Sequence, residues 1–517
     1  MQFAFLQRAS IFSGMSQFDF DVAIIGSGSA GYAAARIASS AGLKTVVIEG
    51  GEEVGGLCIL RGCMPTKALL YAAEVMHLTS HTRPWGICTR NVSFDFAKVM
   101  ARKNALIKDF ADYRVKQLVG GKFKFIRANA KFLDSHTVGL GRADLSASAK
   151  SFGVTAPKRS EGGPVGPNAR GTPTSNVGAD RVPAKITAKN FIIATGSVVA
   201  PPPLPQLREL GYITSDDALA LKRLPNSLIV LGGGPIACEF AQFFARFGVE
   251  VMLIQRSEHI LKEFDLDTAI EIEKVFRREG VKVFTGTKLA DAKRKGKLKT
   301  VSFQHDSKMV SVSAEEILFA LGRVPNTSSL GLDHVSVATN GGRVLANDFM
   351  QTSAPHIYTA GDCTGPHEIV HIAVQQGETA AHNIANPNVP RRMDYRLLIS
   401  VVFTEPQVAV VGLTEKDAKV RNLPYLAASY PFNDHGKSLI MEAKDGFVKL
   451  LADPKSGEIL GGACIGPVGG ELIHEVVAAM AKHMTIHELA AMPHYHPTLA
   501  EIWTYPAEEL AGQITIS

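Results

Sequence analysis

Asp21-Val22-Ala23-Ile24-Ile25-Gly26-Ser27-Gly28-Ser29-Ala30-Gly31, then the Ala-rich stretch Tyr32–Ala41, then Lys44-Thr45-Val46-Val47-Ile48-Glu49, is the passage whose reading decides the fold. The apolar run 21–25 reads as a strand, 32–41 as a helix and 44–48 as a second strand. Gly26 permits the tight turn between strand and helix. Gly28 lets the backbone approach a pyrophosphate, and Gly31 lets helix and strand pack closely. The helix N-terminus then faces the phosphates, and Glu49 at the end of the second strand can accept hydrogen bonds from a ribose. Strand, glycine turn, helix, strand and terminal acid in this order predict a dinucleotide-binding βαβ unit.

The chain repeats the unit. Ser227–Leu231 reads as a strand, followed by Gly232-Gly233-Gly234-Pro235-Ile236-Ala237, a helix from about Cys238 to Phe247 and a strand from Val249 to Ile254. Ala237 takes the place of the third glycine, which the motif permits. Two such units predict two dinucleotides. Glu49 lies 23 positions beyond Gly26, and the same interval from Gly232 lands on Gln255, followed by Arg256. An acid there would hold a 2′-hydroxyl and repel a 2′-phosphate, whereas Gln255 and Arg256 leave room and charge for the phosphate. Lys262 stands one short loop further on. The second unit therefore reads as a site for NADPH more than NADH.

Just past the first unit runs Gly55-Gly56-Leu57-Cys58-Ile59-Leu60-Arg61-Gly62-Cys63-Met64-Pro65-Thr66-Lys67. Two cysteines with four residues between them can close a small, reducible ring. Beside a flavin dinucleotide they would form a path for two electrons between flavin and disulfide.

Composition agrees with a large folded protein. The 517 residues are long enough for two to four domains, and 46% hydrophobic with 20% charged residues is ordinary for a globular chain. A net charge of +6 is small for this length. The basic run Lys288–Lys299 reads as a solvated hairpin, so no nucleic-acid partner is expected. No stretch approaches the ~18 consecutive apolar residues of a membrane span. Six cysteines do not make a secreted disulfide framework. Cys88, Cys238, Cys363 and Cys464 are expected to be buried small apolar residues, and the absence of C-x2-C pairs or histidine clusters predicts no metal site. A redox pair of this kind suits a reducing compartment, so a cytoplasmic location is expected. Met1–Gly14 resembles neither a signal nor a transit peptide. Residues 1–17 read as a disordered or over-long extension, with Met15 a natural start.

With these motifs in place, the chain resembles the class I flavoprotein disulfide reductases, the group that holds dihydrolipoamide dehydrogenase, glutathione reductase and mercuric reductase. The resemblance runs from about Phe18 to the C-terminus. Ala194-Thr195-Gly196-Ser197 resembles the loop that returns to the FAD domain, Ala320-Leu321-Gly322-Arg323 the end of the NAD(P) domain, and Thr359-Ala360-Gly361-Asp362 the second FAD motif, whose Asp binds the ribityl chain. His496-Pro497-Thr498-Leu499-Ala500-Glu501 resembles the C-terminal catalytic histidine and the glutamate that orients it.

The fold implied is α/β, with two Rossmann-like dinucleotide-binding domains, for FAD and NAD(P), and a C-terminal α+β dimerisation domain. FAD contacts are expected at Gly26, Gly28, Gly31, Glu49, Gly56, Lys67, Thr195, Gly196, Gly361 and Asp362. NAD(P) contacts are expected at Gly232, Gly234, Ala237, Gln255, Arg256, Lys262 and Gly322. By resemblance Cys63 is the sulfur next to the flavin and Cys58 the one that meets substrate. Cys63 starts a helix, whose N-terminal dipole favours a thiolate. Cys58 needs a base, and His496 is the candidate, with Glu501 fixing its tautomer. His494 is expected to be an ordinary structural residue. Lys67 resembles the lysine near flavin N5, and Glu239 its partner acid. The family geometry carries His496 to the disulfide of the second subunit of a homodimer.

The domains expected are FAD-binding over 18–206, NAD(P)-binding over 207–325, a return to the FAD region over 326–392 and an interface domain over 393–517. The FAD region carries an insert at 141–183, rich in Gly, Ser, Pro and Ala, which reads as a mobile surface loop. The substrate is expected to be a small disulfide or dithiol, or the lipoyl domain of a partner. Lys67 four residues after Cys63, His371-Ile372-Ala373 and His494-Tyr495-His496-Pro497 resemble the lipoamide enzyme. Gln255-Arg256 and Gly322–Asn326 resemble the NADPH-dependent glutathione-type reductases. Leu57 and Arg61 depart from the family pattern, and Arg61 beside the disulfide is expected to favour an anionic substrate. A mercuric reductase would need further C-terminal cysteines and a leading metal-binding domain, and a diaphorase would need neither the cysteines nor His496.

Overall fold

The computed structural model describes residues 17–142 and 183–514. The expected N-terminal extension, and all of the expected insert except 141–142 and 183, lie outside the described residues.

The first sheet grows from the first glycine motif. Its parallel strands run in the order Lys124–Arg127, Thr45–Glu49, Phe20–Ile25, Lys185–Ile193 and Ile357–Thr359. Val22, Ala23 and Ile24 are fully buried, as in a parallel sheet covered on both faces. The helix Ser29–Ser40 starts three residues earlier than Tyr32, directly behind Gly28, and buries Ala33, Ala34, Ala35 and Ala38. Gly26 is held at φ +106°, and a Cβ on it would lie 2.3 Å from the Ala194 carbonyl oxygen. Only glycine fits both constraints. An antiparallel hairpin, Asn129–Asp134 with Thr137–Gly141, joins the far end of Lys185–Ile193 through the pair Val138↔Ile186. The insert thus connects two strands that are themselves paired, so its length leaves the register unchanged.

The second unit repeats the geometry. Strands Lys282–Phe284, Glu250–Ile254, Ser227–Leu231 and Glu316–Phe319 are parallel in that order, and the helix Pro235–Arg246 begins behind Gly234. Gly232 sits at φ +117°, with Ala320 O 2.3 Å from where a Cβ would be. The helix starts three residues before Cys238 because proline is tolerated in a first turn, where its missing N–H has no intrahelical partner. The basic run forms the expected hairpin, Lys288–Lys295 with Leu298–His305, extended by Lys308–Ala314.

The C-terminal sheet is antiparallel, in the order Ile399–Val402, Gln407–Gly412, Ile459–Gly466, Phe447–Ala452 and Leu426–Pro431. Helices Gly469–Ala481 and Thr504–Gln513 close a core around fully buried Trp503. A further core joins the units. Leu69 and Ala73 of the helix Cys63–Ser80 pack with Phe240, Phe243 and Phe244 of the second unit and with Val402, Val408 and Val410 of the C-terminal sheet. This contact sets the cysteine-bearing helix against both other units. Among the described residues no helix is long and apolar enough to cross a membrane.

Candidate active site

The two cysteines sit where a short helical turn, Leu57–Leu60, meets the helix Cys63–Ser80. Cys63 is the first residue of that helix. The two thiols lie close enough to interact, and that interaction divides their acidities. Cys63 is lowered to about 7, first by the interaction with Cys58 and then, against the effect of burial, by the Lys67 ammonium and by a backbone N–H. Cys58 is raised above the ordinary thiol range by the same interaction, with burial adding to the shift. The backbone N–H among these causes is that of the helix start the sequence pointed to, and Cys58 and Lys67 act in the same direction. Cys238, Cys363 and Cys464 are buried as expected, but Cys88 is exposed. It lies in the irregular stretch after Arg83–Trp85, where no sheet or helix covers it.

Lys67 projects from the next turn of the same helix. Its Nζ lies 2.9 Å from both carboxylate oxygens of Glu239, which is buried on the helix Pro235–Arg246. The Phe403 N–H also donates to Glu239, at 3.0 Å, and the Phe403 ring stands 4.6 Å from Nζ. This ion pair therefore ties together three segments distant in sequence.

Arg61 does not sit free beside the cysteines. Its guanidinium is paired with Glu53 at 2.9 Å and Asp216 at 3.2 Å. Burial raises both carboxyls, and the arginine opposes the shift. With two acids on one cation there is no unpaired positive charge to recruit an anionic substrate, so that expectation is corrected. The arginine instead tethers the redox loop to the helical turn Ser215–Ala218.

The residues expected to hold the first dinucleotide include Glu49 and Asp362. Glu49 accepts from Ser27 N at 2.8 Å, Ser27 Oγ at 2.6 Å and Gly51 N at 2.7 Å, which fixes its carboxylate at the strand end. Gly28 and Gly56 lie back to back, and a Cβ on Gly56 would come within 2.6 Å of Gly28 Cα. Two backbones this close leave a cradle without side chains, which fits a pyrophosphate. At the other end Ser197 Oγ donates to Asp362 at 2.6 Å, and Arg323 Nε donates to Ser197 at 2.8 Å. Gly361 N donates to Gln376 at 2.7 Å. Thr195 and Gly196 follow the Ala194 carbonyl that touches Gly26. These residues fit FAD.

At the second glycine turn Gly234 has nothing within 4 Å of where a Cβ would be, and Ala237 is buried beneath the helix. Gly322, at φ +115°, is open in the same way. Gln255 folds over the turn, its Cγ 2.9 Å from a Cβ on Gly233. Arg256 is exposed, and no carboxylate among the described residues pairs with it. Lys262 is paired with Glu263 at 3.3 Å. Of the two expected phosphate ligands, only Arg256 is uncommitted.

His496 Nδ1 lies 3.0 Å from both oxygens of Glu501. The imidazole is 78% exposed while the carboxylate is buried, so the ring is held from beneath and presents Nε2 outward. No hydrogen bond or ion pair among the described residues joins His496 to Cys58 of the same chain. His494 is buried against Glu475 at 2.6 Å, the structural residue expected. One residue had no signal in the sequence. His435, fully buried, points Nε2 at Glu501 Oε1 from 3.5 Å. No motif or spacing links positions 435 and 501.

Residues 20–377 match the family described as pyridine nucleotide-disulphide oxidoreductase, and residues 398–507 match the dimerisation domain of that family. The chain belongs to the pyridine nucleotide-disulphide oxidoreductases: it is a flavoprotein disulfide oxidoreductase that works with FAD and NAD(P)H and carries a C-terminal dimerisation domain. It is 34% identical over 487 residues to the dihydrolipoyl dehydrogenase of Bacillus subtilis, covering 93% of this chain and 96% of that one. It is 31% identical over 486 residues to the mercuric reductase of Bacillus cereus, covering 94% of this chain and 70% of that one. The solved structure of LpdA from Mycobacterium tuberculosis superposes with a TM-score of 0.78 at 25% identity, over 95% of this chain and 99% of that one.

Proposed function

We propose that the chain interconverts a small dithiol and its disulfide, of the dihydrolipoamide type, with NADPH favoured over NADH as its nicotinamide partner. The observation that carries the reading is the arrangement of the pair and its partners: Cys63 opens the helix that carries Lys67, Lys67 is held by Glu239, and His496 is held by Glu501 with its ring exposed. FAD, when bound, relays two electrons between nucleotide and disulfide. Lys67, held by Glu239, supplies a cation where negative charge develops. Asp362 and Glu49 anchor the two ends of the cofactor. Cys58 reacts only as a thiolate, so its proton must leave. His496 takes that proton at Nε2 while Glu501 holds Nδ1–H.

Because His496 is exposed and makes no contact with its own cysteines, the base at each disulfide is assigned to His496 of the partner subunit. The nucleotide preference rests on the uncommitted charge of Arg256. Substrate identity rests on the relatives that share the full length of the chain. A reducing compartment, the cytoplasm, suits a cysteine pair that cycles between dithiol and disulfide.

The test is turnover with lipoamide, oxidised glutathione, other small disulfides and Hg(II), each with NADH and NADPH. Lipoamide is expected to lead. His496→Ala is expected to slow disulfide turnover by ~10²–10⁴, while NADPH reduction of ferricyanide persists. Wild-type enzyme that reduces ferricyanide but none of the disulfides would overturn the proposal.

A further inference from the structure

We propose that His435 is a positioning residue for the proton-transfer pair, holding the Glu501 carboxylate and setting the basicity of His496 through it. This rests on His496 being the base.

His435 follows the turn Phe432–Asp434 and caps the short helical turn Gly436–Ile440. Its ring is fully buried. Nε2 is buried without a hydrogen-bond partner among the described residues, and the nearest carboxylate oxygen is Glu501 Oε1 at 3.5 Å, an ion-pair distance. Nδ1 lies 2.8 Å from Ser438 Oγ. The rings of Phe432 and Tyr505 stand edge-on to it, at 6.5 and 6.3 Å. The titratable groups around it are Glu501 and His496 from the C-terminal segment, Tyr505 from the last helix, and Tyr430 and Asp434 from its own segment. Tyr430 and Asp434 are bonded to each other at 3.0 Å. Glu501 is therefore the one carboxylate that meets the imidazole among the described residues. Burial lowers the pKa of His435, and the Glu501 carboxylate opposes that shift. A neutral ring facing a carboxylate carries its proton on Nε2, which leaves Nδ1 to accept from the Ser438 hydroxyl.

Glu501 thus lies between the buried His435 ring and the exposed base His496. The N–H of His435 draws on the same negative charge that stabilises the His496 imidazolium. Without it, that charge falls wholly on His496, which becomes a stronger base, and the carboxylate loses one of the groups that orient it.

The experiment is the pH profile of kcat/KM for dihydrolipoamide oxidation by full-length holoenzyme carrying His435→Leu, His435→Gln or Ser438→Ala, with FAD content and thermal melting as fold controls. In His435→Leu the acid limb is expected to move about one pH unit upward and the plateau to fall on the order of tenfold, the scale of one hydrogen bond to a charged group. His435→Gln, whose amide can still donate, is expected to recover most of both. Ser438→Ala, which leaves the ring in place but frees Nδ1, is expected to give a smaller shift of the same sign. It carries the test if His435→Leu does not fold. A fallen plateau with an unmoved acid limb in every folded variant would mean packing alone and would overturn the proposal. His496→Ala is measured in parallel, and full turnover there would overturn the assignment of the base instead.

Discussion

At Cys58 and Cys63 the chemistry is set by which thiol ionises. Two like groups in contact cannot share a charge equally, so one becomes the thiolate and the other keeps its proton. The interaction with Cys58, with Lys67 beside the pair, makes that one Cys63. Two-electron-reduced enzyme is therefore expected to show a broad long-wavelength charge-transfer band between the Cys63 thiolate and oxidised flavin. Cys63→Ser is expected to lose the band, and Cys58→Ser to show it as isolated, because Cys63 then has no disulfide partner. Cys63 titrates near 7, so the band is expected to fade as pH drops through about 7 and to recover on return. Absorbance spectra across a pH series check all three statements, and identical behaviour of the two serine variants would reverse the assignment.

At the scale of elements, the redox loop and the second glycine turn show two uses of arginine. Arg61 is consumed by Glu53 and Asp216, and its role is to hold the loop. Arg61→Ala is expected to cost about 1–2 kcal/mol at neutral pH, between an exposed pair and a buried one, since the side chain is 40% exposed. Burial holds both carboxyls above their unfolded values, so their ionised forms oppose folding above that range and cease to do so as pH falls. The deficit of the variant is thus expected to be largest near neutrality and to shrink as pH falls through the raised range in which the acids protonate. Denaturant melts at several pH values measure this, and a pH-independent deficit would contradict it. Arg256, by contrast, has no such partner. Gln255→Glu with Arg256→Ala is expected to move preference from NADPH toward NADH by roughly one to two decades in kcat/KM, the worth of a charge-assisted contact at about 1.4 kcal/mol per decade. A wild-type enzyme that already prefers NADH would remove the premise.

Over the whole molecule, buried charges lock the second unit to the C-terminal sheet. Lys449, almost fully buried, is bonded to Asp265 at 2.9 Å, Asp267 at 2.6 Å and Glu415 at 3.0 Å. The three carboxylates raise its pKa against the effect of burial. Its contribution is complete below the unfolded lysine value and is lost only as pH rises through the folded one. Lys449→Met leaves three acids facing one another and is expected to cost about 3–5 kcal/mol, as for a broken buried pair. Calorimetry on the holoenzyme reads the loss. The shared active site has its own test at this scale. Inactive Cys58→Ser and His496→Ala proteins, mixed under conditions of subunit exchange, are expected to regain activity. Each heterodimer then holds one complete site out of two, up to about half the activity of a wild-type dimer. Confirmed exchange with no recovery would place both halves of each site in one chain.

The sequence alone determined what depends on backbone geometry over short spans. Gly26 and Gly232 mark turns that no side chain fits, apolar runs mark strands buried on both faces, and the C-x4-C spacing marks a closable ring. These constraints act within one βαβ unit, so they could be read in order along the chain, and the His496–Glu501 interval belonged with them. Only the tertiary structure decided which distant side chains meet. Lys67 and Glu239, 172 positions apart, were paired only through the family resemblance, and Arg61 and Asp216, 155 apart, were not paired at all. No periodicity connects either pair, and both contacts exist because the cysteine-bearing helix packs on the second unit. The same holds for His435, which reaches Glu501 only because the C-terminal sheet and the last helix close over one core. Charge in the interior follows these meetings: an arginine read as a free cation is paired with two acids.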